Sequence, residues 1–188
     1  LTICNHMPPL YSESDSIKTL NEMKKVHKFN KIDKSINFKY AACLLYKEDQ
    51  YKVNNQILDI IKKNKPDHVF IPFPDRHQDH KIVYESCLVA TRPKFGLSFL
   101  KSVYAYEVVS ETFWNAGYIE PNFIPDTFVN IQKNLNKKIN SLKMFKSQIN
   151  NKLYERSIEA IKALSTLRGS QNGYKQAEAF KLIRSRID

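Results

Sequence analysis

The sequence has few of the residues that mark disulfide-bonded, membrane-spanning or multidomain proteins. Its three cysteines, Cys4, Cys43 and Cys87, form no CxxC pair, so we expect neither a disulfide framework nor a thiolate zinc site. The longest apolar runs, such as residues 41–46, fall far short of the roughly 20 residues that a membrane-spanning helix needs. Only four glycines occur in 188 residues, and no Gly/Ser linker divides the chain. We therefore expect one domain over residues 1–188 in a reducing, cytoplasmic setting.

Apolar residues are plentiful enough for a core, and positive charge is in excess. The apolar share of 42 % is too high for a disordered chain. The formal net charge is +11, and residues 131–188 hold 13 Lys or Arg against 4 Asp or Glu, so 13 − 4 = +9 lies there. This excess favours anionic lipid, a phosphorylated substrate or nucleic acid as a partner, and the alternative is a merely soluble, Lys-rich surface. No nucleic-acid-binding motif occurs, so nucleic acid is not expected.

Strand and helix patterns alternate along the chain, which predicts an α/β fold with a mainly parallel sheet. Ser12 or Ser14 is a candidate cap for a first helix that ends near Phe29. Pro66 ends a second helix, and the apolar run after it is typical of a buried strand. The predicted strands lie at 1–4, within 36–46, and at 68–73, 102–109 and 127–131; the predicted helices lie at 12–29, 53–64, 80–90, 132–149, 155–167 and 174–186.

The loop that follows Phe73 concentrates the titratable side chains. Residues 74–80, PDRHQDH, hold two His, two Asp and one Arg between a buried strand and a helix. Ligands of parallel sheets bind where the carboxyl end of a strand turns into the next helix, so this loop is the candidate site. Imidazoles spaced like those of His77 and His80 can serve one site, one as a metal ligand and one as an acid or base. Asp79 can orient a neighbouring imidazole.

A polar loop that only caps a helix is the alternative interpretation of this segment, with Asp79 near the positive helix dipole. Two protein ligands would also be too few, because a catalytic zinc usually takes three and a water. Trp114, the sole tryptophan, lies in the loop-like segment SETFWNAGY. It is a candidate for stacking on a sugar, with a half-buried core tryptophan as the equal alternative.

Several segments taken together resemble the PIG-L/LmbE-like deacetylases of bacterial type. In that family an apolar strand after a Pro-Asp pair leads to an H-x-D-H loop, and the similarity continues through most of the chain from about residue 14. The joint pattern is more specific than any one of its pieces. The matching segments are KPDHVFIPFPDRHQDH (65–80), YEVVSETFW (106–114), EPNFIPDTFVNI (120–131), KINSLKMFKSQ (138–148) and ERSIEAIKALSTLRGSQNGYKQAEAF (155–180).

The resemblance implies a Rossmann-like, three-layer fold and a zinc-dependent hydrolase that removes the acetyl group from an N-acetylated amino sugar. His80 matches the zinc-ligating histidine of the H-x-D-H loop, and zinc or another divalent metal is the implied cofactor. His77 matches the histidine that acts as general acid and polarises the tetrahedral intermediate, and Asp79 matches the aspartate that orients it. Arg76 is a candidate substrate contact. The sugar could be free, phosphorylated or lipid-linked, which would place the protein in the cytoplasm or at the inner membrane surface.

The sequence departs from the family at one important motif. The family's His-Pro-Asp-Asp tetrad, which supplies two ligands and the general base, does not occur here. The opening LTICNH resembles the family's second strand, so we expect a strand–helix unit of roughly 30 residues to precede Leu1 in the natural protein. We also expect the 188-residue chain alone to be inactive. The alternative is a non-catalytic relative that binds carbohydrate or assists assembly and has a degenerate metal site.

Overall fold

The computed structural model describes residues 1–149 and 154–187 and has a mixed α/β fold. Within those ranges it contains five α-helices and two β-sheets. No helix in this part of the chain is both long and apolar enough to cross a membrane. In chain order the elements are β1 (Thr2–Asn5), α1 (Glu13–Asn30), β2 (Asn37–Ala41), α2 (Gln50–Asn64), β3 (His68–Pro72), α3 (Gln78–Ala90), β4 (Ser102–Tyr106), β5 (Thr127–Asn130), α4 (Leu135–Met144), α5 (Ile158–Ser170) and β6 (Ala177–Ser185).

The chain divides into two compact units, of which the first comprises the described residues of Leu1–Leu45 and Val129–Glu178. Its strands β1 and β2 pair in parallel. The α1 helix begins at the predicted cap, because the Ser12 hydroxyl accepts from the Asp15 amide while the Asp15 carboxylate accepts from the Ser12 amide. Ile131, Leu135 and Ile139 form a buried apolar cluster in this unit.

The second unit comprises Tyr46–Phe128 and the residues from Ala179 onward, and it contains the candidate loop. Strands β3 and β4 pair in parallel over their full length, from His68 opposite Ser102 to Pro72 opposite Tyr106. Helix α2 packs on α3 and buries an apolar face that includes Val53, Ile57 and Ile61. The prediction of a single domain stays a prediction.

The predicted helix at 174–186 is wrong, because this segment forms strand β6. It pairs antiparallel with β4, and the sheet has the order β3-β4-β6-β5. Ala177 and Ala179 are buried at the alternate spacing of a strand. The prediction of a mainly parallel sheet is also wrong, because an antiparallel strand lies inside this sheet.

Candidate functional site

The loop 74–80 leaves the sheet at the carboxyl end of β3. The Phe73 amide still donates to the Tyr106 carbonyl at 2.9 Å, which continues the β3–β4 pairing for one residue. The chain then turns sharply, since the Asp75 amide donates to the Phe73 carbonyl at 2.8 Å. Helix α3 begins at Gln78, directly after His77. The loop therefore has a strand end on one side and a helix N-terminus on the other, as predicted.

Asp75 is the centre of the loop, although no role was predicted for it. Its side chain is fully buried and lies 2.8 Å from the His80 ring, between Asp75 Oδ1 and His80 Nδ1. The same carboxylate accepts from the His77 amide at 3.1 Å and from the Thr112 hydroxyl at 3.1 Å. A carboxylate beside Nδ1 keeps the proton on that nitrogen, so the lone pair of His80 is on Nε2. His80 therefore presents the nitrogen that a metal can bind.

His77 is held in a different way. Its Nδ1 accepts from the Asp79 amide at 3.1 Å, which makes His77 the N-cap of α3. A neutral ring that accepts at Nδ1 carries its proton on Nε2, so His77 presents a hydrogen-bond donor. The two rings stack with their centroids 4.6 Å apart. The structure thus brings the two predicted histidines together. His80 presents a lone pair at Nε2, whereas His77 presents an N–H donor at Nε2.

Asp79 is also part of this cluster. It is 4 % exposed, and one of its carboxylate oxygens lies within 4.8 Å of a His77 ring nitrogen. Its position in the first turn of α3 suits a negative charge, because the helix dipole is positive there. The structure brings Asp79 close to His77, and its orienting role stays a prediction.

Arg76 belongs to a charged network centred on Glu120. The Glu120 carboxylate accepts from Arg76 at 3.0 Å, from Lys81 at 2.7 Å and from the Ala116 amide at 3.0 Å. The hydrogen bond from Lys81, the bond from Ala116 and the charges of both cations lower the pKa of Glu120 to about 2. Arg76 remains more than half exposed. Its predicted contact with substrate stays a prediction.

The charged network is expected to survive mild acid. The pKa of Glu120 is lowered from 4.5 to about 2 in the folded protein, so the stabilisation it gives is complete above about pH 4.5 and is lost as the pH falls toward 2. A ¹³C NMR titration of the Glu120 carboxyl, assigned with Glu120→Gln, measures this midpoint. A midpoint near 4.5 would contradict the network.

Trp114 lies on the segment 108–120, which is joined to the candidate loop. The Thr112 hydroxyl donates to the Asp75 carboxylate and accepts from the Val108 amide. Trp114 ends a short 3-10 helix that begins at Thr112 and is 64 % exposed. The alternative of a half-buried core tryptophan is therefore wrong, and the predicted sugar contact stays a prediction.

Asp75, Thr112 and Glu120 were not predicted from the sequence as parts of the site, and only Asp75 has a local sequence signal. Asp75 is two residues before His77, the spacing at which an aspartate accepts from a later amide in a turn, so it carried a local signal. Thr112 and Glu120 carried none. They are more than 30 residues away from their partners in the loop.

Comparisons with known proteins identify the fold. No protein-family model matches the sequence, and no curated protein does. The N,N'-diacetylchitobiose deacetylase from Pyrococcus horikoshii has a TM-score of 0.72 at 16 % identity, over 96 % of this chain and 70 % of that chain. The 4-carboxy-2-hydroxymuconate hydratase GalB from Pseudomonas putida KT2440 has a TM-score of 0.70 at 15 % identity, over 93 % and 75 %. A deacetylase of the teicoplanin biosynthesis pathway has a TM-score of 0.67 at 14 % identity, over 94 % and 77 %.

Similarities at this level of identity show the fold alone. The same fold carries deacetylases and a hydratase, so it does not select a reaction.

Proposed function

We propose that this protein is a metal-dependent hydrolase that removes the acetyl group from an N-acetylated amino sugar. The observation that carries the proposal is the His80–Asp75 pair, in which a fully buried carboxylate lies 2.8 Å from Nδ1 and leaves Nε2 as the ligand nitrogen. This carboxylate–histidine arrangement is the usual support of a metal-binding histidine. The resemblance of residues 65–80 to the PIG-L/LmbE-like deacetylases and the two deacetylases that share the fold support the same reaction.

The donor set of the loop fits zinc or another divalent metal. His80 would be an imidazole ligand, with Asp75 fixing its tautomer. A catalytic zinc usually takes three protein ligands, so the others would come from outside residues 75–80. When bound, the metal supplies Lewis-acid activation of water and of the amide carbonyl.

We assign to His77 the stabilisation of the oxyanion that forms when the amide carbonyl becomes tetrahedral. Its Nε2–H is a fixed donor, because the Asp79 amide occupies Nδ1. A donor aimed at the oxygen of the tetrahedral intermediate lowers the barrier. The general-acid role implied by the family would need protons on both nitrogens, and the helix cap opposes a proton on Nδ1. Asp79 would hold the ring through this cap.

The Asp75 carboxylate is expected to strengthen metal binding at His80. Replacing Asp75 with asparagine removes the negative charge that holds the proton on His80 Nδ1, and we expect metal to bind about 10–100-fold more weakly. Competition with a chromophoric chelator measures this change. The control is Asp67→Asn, which removes an exposed carboxylate paired with Lys101. Equal affinity in Asp75→Asn and the parent protein would contradict the proposed ligand.

Acetate release tests the reaction itself. The intact protein, loaded with zinc, is incubated with N-acetylglucosamine derivatives, and free acetate and free amine are measured together. Equimolar release of both supports the deacetylase. Bound zinc without release would favour another reaction of the fold, such as a hydration. Absence of bound metal would favour the non-catalytic, carbohydrate-binding relative.

The form of the sugar is a finer proposal, which the excess of positive charge supports. A phosphorylated or lipid-linked substrate would be attracted to a chain of net charge +11. Charged and uncharged N-acetylglucosamine derivatives compared at low salt test this attraction. Equal rates on both would count against it.

A further inference from the structure

The second unit contains a cavity at the end of β4 that lies away from the candidate loop. The segment between α3 and β4, the start of β4 and the end of β6 line this cavity, and its volume is about 480 Å³. A cavity of this size suits a small-molecule ligand. Ser102 lines the cavity and begins β4, whereas Tyr106 ends β4 and accepts from the Phe73 amide beside the candidate loop. The two ends of β4 are roughly 13 Å apart, so the cavity is separate from the candidate loop.

The cavity is lined by positive charge and not by negative charge. None of the thirteen described residues that line it is acidic, and three are cations: Lys101, Arg184 and Arg186. The sequence segments 91–102 and 184–187 contain five Lys or Arg and no Asp or Glu. Two acidic residues are close in space or in sequence, Asp67, which lies 2.8 Å from Lys101, and Asp188. The local excess is therefore 5 − 2 = +3, and it belongs to the cavity and not merely to the chain as a whole.

Backbone carbonyls hold two of these cations in place. The Arg184 guanidinium donates to the Thr91 carbonyl, and the Arg186 guanidinium donates to the Ser98 carbonyl at 3.3 Å. A carbonyl has no formal charge, so these bonds orient the guanidinium groups without neutralising them. A side chain that is already oriented loses less conformational entropy when a ligand binds. The two arginines are consequently prepared to bind an anion.

A β-bulge places Arg184 on the face of the sheet that borders the cavity. Leu182 lies opposite Tyr104 of β4, and Arg184 lies opposite Val103. Two steps along β6 thus correspond to one step along β4, so β6 contains an extra residue at this point. Residues opposite each other in an antiparallel pair have their side chains on the same face, and Val103 lines the cavity. Without the bulge Arg184 would share the face of Leu182. Bulges of this kind often redirect a side chain beside a binding site.

We propose that this cavity binds a small organic molecule that carries a phosphate group. Lys101, Arg184 and Arg186 favour an anion, and the planar guanidinium groups match phosphate oxygens in paired hydrogen bonds. Leu97 and Leu100 line the same cavity and are buried, so they offer an apolar surface to the organic part of the ligand. This inference goes beyond the proposed function and does not depend on it.

A small phosphate ester fits the cavity better than other anions do. A phosphate ester has a charge of about −1.5 to −2 at pH 7 and three acceptor oxygens, so it matches three cations better than a carboxylate with a single charge does. A nucleic acid follows an extended positive groove, whereas these cations surround one cavity. The next cation along β6, Lys181, does not line the cavity and lies 2.8 Å from Asp126.

Three probes that share a benzene ring test the proposal. Phenyl phosphate, benzoate and phenol are each titrated into the intact protein at physiological ionic strength, and binding is followed in ¹H–¹⁵N NMR spectra. We expect phenyl phosphate to shift amide signals within residues 91–102 and 184–187 and to bind about tenfold more tightly than benzoate. Phenol should bind more weakly still.

Two variants and a matched control show whether the arginines form the site. Arg186→Gln removes an exposed charge, and Arg184→Lys retains the charge but removes the planar fork. We expect each to bind phenyl phosphate about tenfold more weakly. Lys181→Gln, which also removes one positive charge, should bind as the parent protein does. Arg186→Gln carries the test if Arg184→Lys does not fold, since the Arg186 side chain is exposed.

Four results would overturn this inference. The first is the absence of amide shifts with phenyl phosphate. The second is shifts confined to residues 75–81, because the anion would then bind at the candidate loop. The third is equal binding of phenyl phosphate and benzoate, which would exclude selection for phosphate. The fourth is equal weakening by Lys181→Gln and Arg186→Gln, because net charge alone would then explain binding. None of these measurements uses acetate release, so failure here leaves the proposed deacetylase untouched.

Discussion

Replacing His80 with alanine is expected to remove the metal and to lower deacetylation by about 10³-fold or more. His80 is the one side chain of the described loop whose Nδ1 is fixed by a fully buried carboxylate. Its loss deletes the proposed ligand, and it also leaves Asp75 without its imidazole partner. Metal content by elemental analysis and acetate release measure the two effects on the same preparation.

Two controls separate a lost ligand from a damaged fold. His68→Ala removes a histidine at the opposite end of β3, where its ring lies 2.6 Å from the Ser102 hydroxyl, and it should keep both metal and activity. His80→Gln retains a polar side chain near Asp75 but cannot replace an imidazole ligand, so it should fold and still fail to bind metal. Retention of zinc with normal turnover in His80→Ala would end the proposal.

The position of the candidate loop between a strand and a helix could be predicted because it depends on local signals. The apolar run of β3, the polar loop after it and the next amphipathic helix are all visible within about 25 residues of sequence. The first helix is likewise capped by Ser12, and its capping box lies within four consecutive residues, from Ser12 to Asp15. Such signals act within one turn of the chain, so no tertiary information is needed to read them.

Strand β6 could not be predicted in the same way. Its sequence, AEAFKLIRS, contains good helix formers and no strict alternation of polar and apolar residues. The segment becomes a strand because it lies beside β4, where Tyr104 is opposite Leu182 and Tyr106 is opposite Phe180. The hydrogen bonds of that ladder join residues almost 80 positions apart. Tertiary pairing therefore overrides the local helix propensity.

The supports of the site were missed for the same physical reason. The spacing of His77, Asp79 and His80 is a local pattern, but Asp75, Arg76 and Lys81 beside them are bound by groups that are distant in sequence. Thr112 and Glu120 come from the segment after β4. The motif therefore identifies the candidate imidazoles, whereas the structure shows which ring nitrogen of each is left for a metal or a substrate.

The difference between the two imidazoles leads to the second large effect, at His77. Alanine at this position would remove the Nε2 donor and also the cap of α3, which costs about 1 kcal/mol of helix stability. Asparagine is a good N-cap and can still accept from the Asp79 amide, but it has no group at the position of Nε2. We therefore expect His77→Asn to keep its stability and its metal while turnover falls by about 10²–10³-fold.

Glutamine at the same position distinguishes the two roles that His77 could have. Its side-chain amide can place an N–H near the position of Nε2, so a donor role predicts that His77→Gln recovers part of the turnover lost in His77→Asn. A general-acid role predicts equal losses of about 10²–10⁴-fold in both, because neither amide can give up a proton. It also predicts that the alkaline limb of the pH–rate profile disappears in both variants. Since the Asp79 amide occupies Nδ1 of His77, we expect partial recovery by glutamine, and equal losses would show that the cap opens during the reaction.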